Sequence, residues 1–406
     1  MRRPWVPAAI VMVLAVLVGG TTALLYLTRT SGPDSPPVSL DALASKGCRL
    51  YQVNGYRVLE LAGTPEEMGR AHGQLLADDI RRVLADVLTP EQNPARYQLI
   101  RRGARAMEPF QPEPYRREMK ALAEAVGVEY IDIVALQLFG DAERAAPGQD
   151  LEHPSQLEYQ CTHYAAFGPA TASGECIVGR NFDYWYEPVA RYASIVIHYR
   201  PDRGHSFVTV SWAGVINGWT LMNDVGLVAA NNNAYGRSES TDGISTCFLQ
   251  RMLIEEASSV SEAVELARRG PRAVGTVMLV AGGNPPDAAD LEFDHDSLVV
   301  RPARNGYVIA GNGFLQLGRD TPFDPDGETW GRYGKLLELI RANYGRIDRS
   351  MNFAAVPGVA IEGINLHSAV LFPADQTFLL SMGKVPASKG PYRRFRVTAE
   401  GIVSAE

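Results

Sequence analysis

The sequence predicts an α+β fold, in which helices dominate the first part of the chain and strands dominate the second. Residues 50–140 show mostly helical periodicity, whereas short, partly alternating apolar segments begin at Cys161. Between these parts, residues 145–160 are rich in Pro, Gly and Glu, which indicates an exposed linker. The number of strand candidates and the short connections between them predict antiparallel sheets.

The first long helix has a clear start signal at Thr64-Pro65-Glu66-Glu67. Threonine is a good N-cap residue, proline is favoured at the first helical position, and Glu67 completes a capping box. A strand-like run at 56–61 precedes this helix, which we expect to continue to about Val87. Further helices are expected at about 95–107 and 115–125.

The second part of the chain combines strands with a few long helices. One helix is expected over 245–257, a capping box at Ser259 starts another that ends at Gly270, and a third covers 330–343. The strand candidates lie at 161–168, 176–182, 194–200, 206–212, 226–232, 274–281, 297–301, 306–311 and 367–381.

The composition is that of an ordinary globular protein. Its 406 residues are 46% hydrophobic and 21% charged, and the net charge of -7 argues against any general attraction for nucleic acid. Four cysteines are too few for a disulfide framework, and the seven histidines show no HxH or HExxH pattern. We therefore expect no metal and no cofactor.

Residues 1–29 are expected to form a signal anchor, that is, a single transmembrane segment. Arg2 and Arg3 precede an uncharged stretch at 6–27. At about 1.5 Å per helical residue, this stretch can just cross a hydrocarbon core of about 30 Å. The positive charges favour a cytoplasmic N-terminus, so the catalytic part is expected outside the cytoplasm. A cleaved signal, with Thr-Thr-Ala at 21–23 as a poor cleavage site, is the alternative and would give a secreted protein.

Cys161 begins a strand candidate directly after the linker, and a neighbouring strand ends in Arg180-Asn181-Phe182-Asp183. A turn at 171–174 sends the chain back, so Arg180 and Asp183 are expected to lie beside Cys161. A cation near a thiol stabilises the thiolate, and a carboxylate beside an α-amine orients it. These residue types suit a cysteine that becomes the first residue of a chain and uses its own amine as the proton shuttle.

These segments resemble the N-terminal-nucleophile (Ntn) hydrolases, in particular the isopenicillin-N acyltransferase, choloylglycine hydrolase and carcinine hydrolase branch. The resemblance covers residues 50–390, and residues 56–73 look like the pro-segment of the acyltransferase-like members. The motifs that carry it are Cys161-Thr162 with the Arg-Asn-Phe-Asp return at 180–183, the run Asn223-Asp-Val-Gly-Leu-Val-Ala-Ala-Asn-Asn-Asn233, Gly311-Asn312-Gly313 and Gly331-Arg332-Tyr333.

The resemblance implies a four-layer αββα sandwich and a chain that cuts itself between Gln160 and Cys161. After a flexible tether at 30–48, a helical pro-segment (49–160) and a catalytic chain (161–406) would then result, and we expect them to stay associated. The mature enzyme would act on a linear amide C–N bond of a small molecule. The acyl group would pass through Cys161 to water in a hydrolase, or to an amine in an acyltransferase.

The same resemblance implies roles for the remaining polar residues. Asn233 and Asn312 would donate hydrogen bonds to the oxyanion, although Asn231 or Asn232 could take the place of Asn233. Arg180 would lower the pKa of the thiol and Asp183 would hold the amine. Arg332 would brace the site. Tyr184, Trp185 and Tyr186 near the nucleophile are compatible with an apolar acyl group.

Two other functions are consistent with the sequence. A papain-like Cys–His hydrolase would pair Cys161 with His163 or His367. A non-catalytic, membrane-tethered binding domain on the same fold is the other alternative, although a degenerate copy would be expected to lose Cys161 or Asp183. Cys176 and Cys247 are expected to be buried thiols or an incidental disulfide, and pairing of Cys48 stays open.

Overall fold

The computed structural model of the chain describes residues 39–146, 159–317 and 328–405. The predicted signal anchor at 1–29 therefore lies outside the described residues, as does most of the predicted linker. Among the residues described, none of the helices combines the length and the apolar character that crossing a membrane requires.

The first described part is mainly helical and contributes two strands. Thr64 caps the first long helix as predicted, because its side chain accepts from Glu67 N while the Glu67 carboxylate accepts from Thr64 N. The elements are α1 (Leu40–Ser45), β1 (Arg49–Val53), β2 (Tyr56–Gly63), α2 (Pro65–Leu88), α3 (Pro94–Met107), α4 (Glu113–Val126) and α5 (Tyr130–Arg144).

The end of the predicted tether belongs to the folded part of the chain. Ser39 caps α1 through its hydroxyl, which accepts from Ala42 N. Leu43 and Cys48 are buried, and the Cys48 thiol donates to the carbonyl oxygen of Ala62. Residues 39–48, which were predicted to be part of the tether, thus contain a short helix and two buried side chains.

The second described part supplies most of the strands. Its elements are β3 (Tyr159–Ala166), β4 (Ile177–Tyr184), α6 (Glu187–Ala193), β5 (Ser194–Pro201), β6 (Phe207–Trp212), β7 (Thr220–Asn223), β8 (Leu227–Asn233), α7 (Thr246–Glu256), α8 (Val260–Arg269), β9 (Thr276–Gly282), β10 (Asp287–Phe293), β11 (Leu298–Pro302), β12 (Tyr307–Ala310), α9 (Glu328–Ala342), β13 (Asn365–Phe372), β14 (Thr377–Met382), β15 (Arg393–Thr398) and β16 (Gly401–Ser404).

The described strands form two sheets. One has nine strands in the order β1-β2-β5-β6-β7-β8-β9-β10-β11, and the other has seven in the order β12-β3-β4-β13-β14-β15-β16. The pairs are antiparallel as predicted, except that β2 and β5 run parallel. A long connection that contains helices links β2 to β5, which is what a parallel pair requires.

The two sheets pack face to face between helices, which confirms the predicted αββα sandwich. Apolar side chains of both sheets, among them Val196 and Val228 of one and Val178 and Leu371 of the other, share one buried cluster. Helices α2, α7 and α8 contact the nine-stranded sheet, whereas α9 packs on the outer face of the seven-stranded sheet.

Three local differences from the prediction have physical reasons. The single strand expected over 367–381 is two strands, because Pro373 and the left-handed Gln376 form a turn between them. Strand β10 was not predicted. It carries Asp290 and Glu292 inside the fold, so its sequence lacks an apolar alternation. Helix α5 was not among the individual helices predicted. It is buried on most of its surface, so its sequence lacks the polar face of an ordinary surface helix.

Candidate active site

The hairpin of β3 and β4 brings Arg180 and Asp183 beside Cys161. In its register, Cys161 lies opposite Phe182, His163 opposite Arg180, and Gln160 opposite Asp183. Because side chains alternate along a strand, the Cys161 thiol, His163 and Arg180 share one face of the sheet. Asp183 projects from the opposite face. The thiol and the carboxylate therefore lie on two sides of the backbone nitrogen that autocleavage would free.

The backbone of Cys161 is held at both ends by side chains from distant parts of the sequence. Its N–H donates to Asn312 Oδ1 at 2.6 Å, and its carbonyl oxygen accepts from Arg332 Nη1 at 3.0 Å. Arg332 Nη2 lies 3.4 Å from the same Asn312 oxygen. The Asn312 amide nitrogen donates to the Asn233 carbonyl at 2.8 Å.

The Cys161 thiol is almost completely buried, at 1% exposure. Burial raises the pKa of the thiol above its ordinary value, and Arg180 and Arg332 oppose this, whereas Asp183 adds to it. Arg180 thus acts on the thiol in the predicted direction. Its effect is outweighed by desolvation, so in the uncut chain Cys161 is a thiol rather than a thiolate.

Asp183 is fully buried and has several donors. Its carboxylate accepts from Ile361 N at 2.9 Å and from Asn365 Nδ2 at 2.6 Å, and Arg332 Nη1 is 3.8 Å away. Burial raises the pKa of Asp183 to about 6, although Arg332 and these hydrogen bonds oppose it. Asn365 was not predicted, because its only signal is a polar residue at the start of strand β13.

Arg180 is fixed by the asparagine run at the end of β8. It donates to the carbonyl oxygen of Asn231 and to the side-chain oxygen of Asn232. Alternation along β8 separates the three asparagines, because Asn232 points between the sheets whereas Asn231 and Asn233 face α5. Asn232 is therefore occupied in positioning Arg180, which leaves Asn231 or Asn233 for contact with a substrate.

His163 belongs to a buried polar network that the sequence did not predict. The Asn232 amide donates to the carbonyls of Ala310 and Gly311 at 3.2 and 3.0 Å, so its oxygen faces His163 Nδ1 at 3.1 Å. The other ring nitrogen lies 2.8 Å from Asp290 Oδ1. The His163 ring is thus held on both sides, by Asn232 and by Asp290.

The network continues to Arg301, which donates to Asp290 and to Glu292 Oε1, the latter at 3.0 Å. Although burial acts to raise the pKa of Asp290, Arg301 and His163 hold it below its ordinary value. This network of polar side chains crosses the space between the two sheets. It holds Asn232 in place, and Asn232 in turn holds Arg180.

The structure gives no support to a Cys–His pair within the residues that it describes. Both ring nitrogens of His163 contact Asn232 and Asp290, and His367 Nε2 lies 2.8 Å from Thr220 Oγ1. Burial and the nearby Arg180 hold the pKa of His367 well below its ordinary value. The cysteines at 48, 161, 176 and 247 are all free thiols.

A small cavity of about 20 Å³ adjoins this site. One wall is helix α5, from Leu136 to Asp141, and the other includes Trp219, Asn231, Asn233 and Cys247. The Cys247 thiol lies close enough to Cys161 and Arg180 for their charges to affect its pKa, which burial raises. The predicted aromatic residues at 184–186 do not line this cavity.

Cys161 lies at the start of the central hairpin of an αββα sandwich, which is the arrangement that the resemblance to Ntn hydrolases implies. Residues 170–344 match the family described as acyl-coenzyme A:6-aminopenicillanic acid acyl-transferase. The match confirms the predicted resemblance to the acyltransferase branch of this class. Arg180, Asp183, Asn233, Asn312 and Arg332 fall within the matched segment, whereas Cys161 precedes it.

Individual relatives are distant. An uncharacterized protein of Archaeoglobus fulgidus is 26% identical over 73% of this chain and 56% of its own length. Protein dcd1A of Dictyostelium discoideum is 24% identical over 61% of this chain and 62% of its own length. The chain thus spans little more than half the length of these relatives. A solved Caenorhabditis elegans ortholog of N-acylethanolamine-hydrolyzing acid amidase is 18% identical, has a TM-score of 0.41, and aligns over 52% of this chain and 93% of that chain.

Proposed function

We propose that this chain cuts itself between Gln160 and Cys161 and that the freed Cys161 is the nucleophile of a linear-amide hydrolase or acyltransferase. The observation that carries the proposal is the double anchoring of the Cys161 backbone, whose nitrogen contacts Asn312 and whose carbonyl contacts Arg332. Because both contacts come from side chains, they would still hold Cys161 after it loses its peptide bond to Gln160.

In the cutting step, the Cys161 sulfur attacks the carbonyl carbon of Gln160 and the C–N bond to Cys161 breaks. The thiol proton passes to the departing nitrogen, which becomes the α-amine of Cys161. Water then hydrolyses the thioester, which releases the Gln160 carboxylate and restores the thiol. Asp183 is paired with Gln160 in the hairpin and is suited to relay the proton, because its pKa of about 6 is near neutrality.

In the mature enzyme, the α-amine of Cys161 takes the thiol proton while the sulfur attacks the amide carbonyl of the substrate. The same amine then protonates the departing nitrogen, and water or a second amine removes the acyl group from sulfur. Asn233 supplies a hydrogen bond to the oxyanion, and Arg180 on the thiol face favours the thiolate. Asn312 and Arg332 hold the terminal residue, and Asp183 holds its amine.

Expression of residues 39–406, which include α1, followed by intact-mass measurement and N-terminal sequencing, tests the cut. We expect two chains, of which the second begins at Cys161, and a single uncut chain for Cys161→Ala. A wild-type chain that folds and stays whole would contradict the proposal and would favour the binding-domain alternative. Hydrolysis of acyl-amino acids, bile-salt amides and N-acyl lipids, with and without an added amine, then separates a hydrolase from a transferase.

We also propose that the two chains stay together after the cut. Strands β1 and β2 of the pro-segment are part of the nine-stranded sheet, and β2 pairs with β5 of the catalytic chain over six residues. Glu118 of the pro-segment forms a buried ion pair with Arg251 of the catalytic chain at 2.7 Å. Separating the chains would expose both the sheet edge and this charge.

We propose, finally, that residues 1–29 hold the enzyme at a membrane with its folded part outside the cytoplasm. The support is the uncharged stretch at 6–27 that follows Arg2 and Arg3. The full chain should remain in the pellet after carbonate washing and enter detergent. Protease added to spheroplasts should digest the folded part, whereas release into the medium would indicate a cleaved signal.

A further inference from the structure

Three polar side chains meet near the surface, in turns that the proposed amide chemistry does not use. His205 lies between β5 and β6, Asp224 between β7 and β8, and Ser258 between α7 and α8. His205 Nδ1 is 2.7 Å from Asp224 Oδ1, and His205 Nε2 is 2.9 Å from Ser258 Oγ. The order of the groups is carboxylate, imidazole and hydroxyl, which is the order of a Ser-His-Asp triad.

These contacts determine which ring nitrogen of a neutral His205 carries the hydrogen. An ionised aspartate only accepts hydrogen bonds, so Nδ1 donates to Asp224. Nε2 is then the acceptor of the ring, and the Ser258 hydroxyl donates to it. In this tautomer a histidine is able to remove the proton of a serine nucleophile.

The backbone fixes the histidine and the aspartate of this triad. His205 N donates to the carbonyl oxygen of Glu255 at 2.8 Å. Asp224 is joined to Ser206 in both directions, because Asp224 N donates to Ser206 O at 2.9 Å and Asp224 Oδ2 accepts from Ser206 N at 3.1 Å. The geometry of the two side chains is therefore set by three separate turns and does not depend on one flexible loop.

Ser258 directly precedes the start of α8, whose N-cap is Ser259. The first turn of a helix presents N–H groups without partners inside the helix, and its positive end favours an anion. These groups are the candidate donors for the oxyanion that forms when Ser258 attacks a carbonyl. The Glu262 carboxylate accepts from Ser258 N at 2.8 Å and lowers the positive potential there. The site therefore suits esters, because their alcohol leaves more readily than the amine of an amide.

A cavity of about 540 Å³ begins beside the triad. One wall consists of residues 201–204, which lead into His205, and another includes the end of α7 at Glu255. The two walls meet at the hydrogen bond between His205 N and Glu255 O. Met68 and Tyr115 also line the cavity, which offers space and apolar contacts for the carbon chain of a substrate.

We propose that Ser258, His205 and Asp224 form a second hydrolytic site, which cleaves carboxylic esters independently of Cys161. Ser258 Oγ attacks the ester carbonyl carbon while its proton passes to His205 Nε2, and the alcohol leaves with that proton. Water then attacks the acyl-serine, and His205 takes a proton from the water and returns it to Ser258 Oγ as the carboxylic acid departs. Asp224 is a positioning residue, because it contacts the imidazole and not the reacting atoms.

The kinetic test uses Cys161→Ala, which removes the other nucleophile and retains all three residues of the triad. This variant should turn over 4-nitrophenyl butyrate, and adding Ser258→Ala should lower kcat/KM by about tenfold or more. Asp224→Asn should also lower it, because an amide that donates to Nδ1 favours the wrong tautomer. Ser261→Ala, on the first turn of α8, is the matched control and should leave the rate unchanged.

Covalent labelling distinguishes a serine nucleophile from an exposed imidazole, which also reacts with nitrophenyl esters. Diisopropyl fluorophosphate should label the wild-type chain at Ser258, as located by peptide mass mapping, and His205→Gln should stay unlabelled. Ester turnover that survives Ser258→Ala unchanged would overturn the proposal. A folded chain that shows neither turnover nor a label at Ser258 would also overturn it. Self-cleavage at Cys161 is not involved in either measurement, so the proposed function stands or falls separately.

Discussion

Arg332 of helix α9 donates a hydrogen bond to the carbonyl oxygen of Cys161 at 3.0 Å, across 171 residues of sequence. The second terminal nitrogen of the same guanidinium is 3.4 Å from Asn312 Oδ1, the atom that accepts from Cys161 N. A single planar group therefore contacts the Cys161 carbonyl directly and the side chain that holds the Cys161 nitrogen. Its fork shape, and not only its charge, positions the residue that we propose to be the nucleophile.

Arg332→Lys should slow self-cleavage by roughly tenfold to a hundredfold, because an ammonium keeps the charge but cannot reach both oxygens. The fraction of uncut chain, followed by intact mass after refolding, gives the rate. Arg341→Lys on the exposed side of the same helix is the control and should cut at the wild-type rate. Equal rates for the two variants would show that the fork does not matter.

The asparagines at the end of β8 should differ in function, Asn233 in catalysis and Asn232 in stability. Asn233→Ala should lower kcat by about a hundredfold to a thousandfold without loss of folding, as expected for loss of an oxyanion donor. Asn232→Ala should instead reduce the free energy of unfolding by about 1–3 kcal/mol, because it leaves Arg180 and His163 without their shared acceptor. Steady-state kinetics and urea unfolding measure the two effects, and the reverse outcome would reassign the oxyanion donor.

Asp183 should make stability depend on pH. Its pKa is raised to about 6 in the fold, from an ordinary value of 3.8, so the folded state favours the protonated form. This contribution to stability is complete below about pH 4 and is lost as the pH rises through 6. In a Cys161→Ala background, urea unfolding from pH 4 to 7 should show this fall, and adding Asp183→Asn should remove it.

The same ionisation should appear in activity. If the Asp183 carboxylate holds the α-amine of Cys161, kcat/KM should rise with pH through an apparent pKa of about 6. Asp183→Asn should lack this limb and retain little activity. A wild-type profile that is flat between pH 5 and 7 would contradict this role.

The sequence predicted the hairpin of the site well because local signals determine it. A turn between two short strands sets which residues lie side by side, so Arg180 and Asp183 could be placed next to Cys161 without a structure. The capping box at Thr64 is equally local, and the helix that it predicted is present. These predictions needed only neighbouring residues.

The contacts that were missed join segments far apart in sequence. Asn365 reaches Asp183 across 182 residues, and Asp290 reaches His163 across 127. Strand β10, which carries Asp290, has charged residues where a core strand usually has apolar ones, so its pattern argues against burial. The charge is buried because Arg301 and His163 compensate for it, and only the packing of two sheets shows that compensation.

The pairing of Glu118 with Arg251 gives the last prediction, on how the two chains hold together after the cut. The side chains are 0% and 1% exposed and 2.7 Å apart. Burial raises the pKa of Glu118 to about 7, and Arg251 opposes this. Arg251→Met leaves the carboxyl group in an apolar place without its cation, which typically costs about 3–5 kcal/mol.

The mature Arg251→Met enzyme should therefore separate into its two chains at a lower urea concentration than the wild type, measured by size-exclusion chromatography with mass detection. Arg117→Met is the control, because Arg117 pairs with Glu66 at the surface, where both side chains are more than a third exposed. An exposed pair of this kind contributes about 0–1 kcal/mol, so the control should separate near the wild-type concentration. If both variants separate together, the shared sheet of β2 and β5 holds the chains, and the buried ion pair does not.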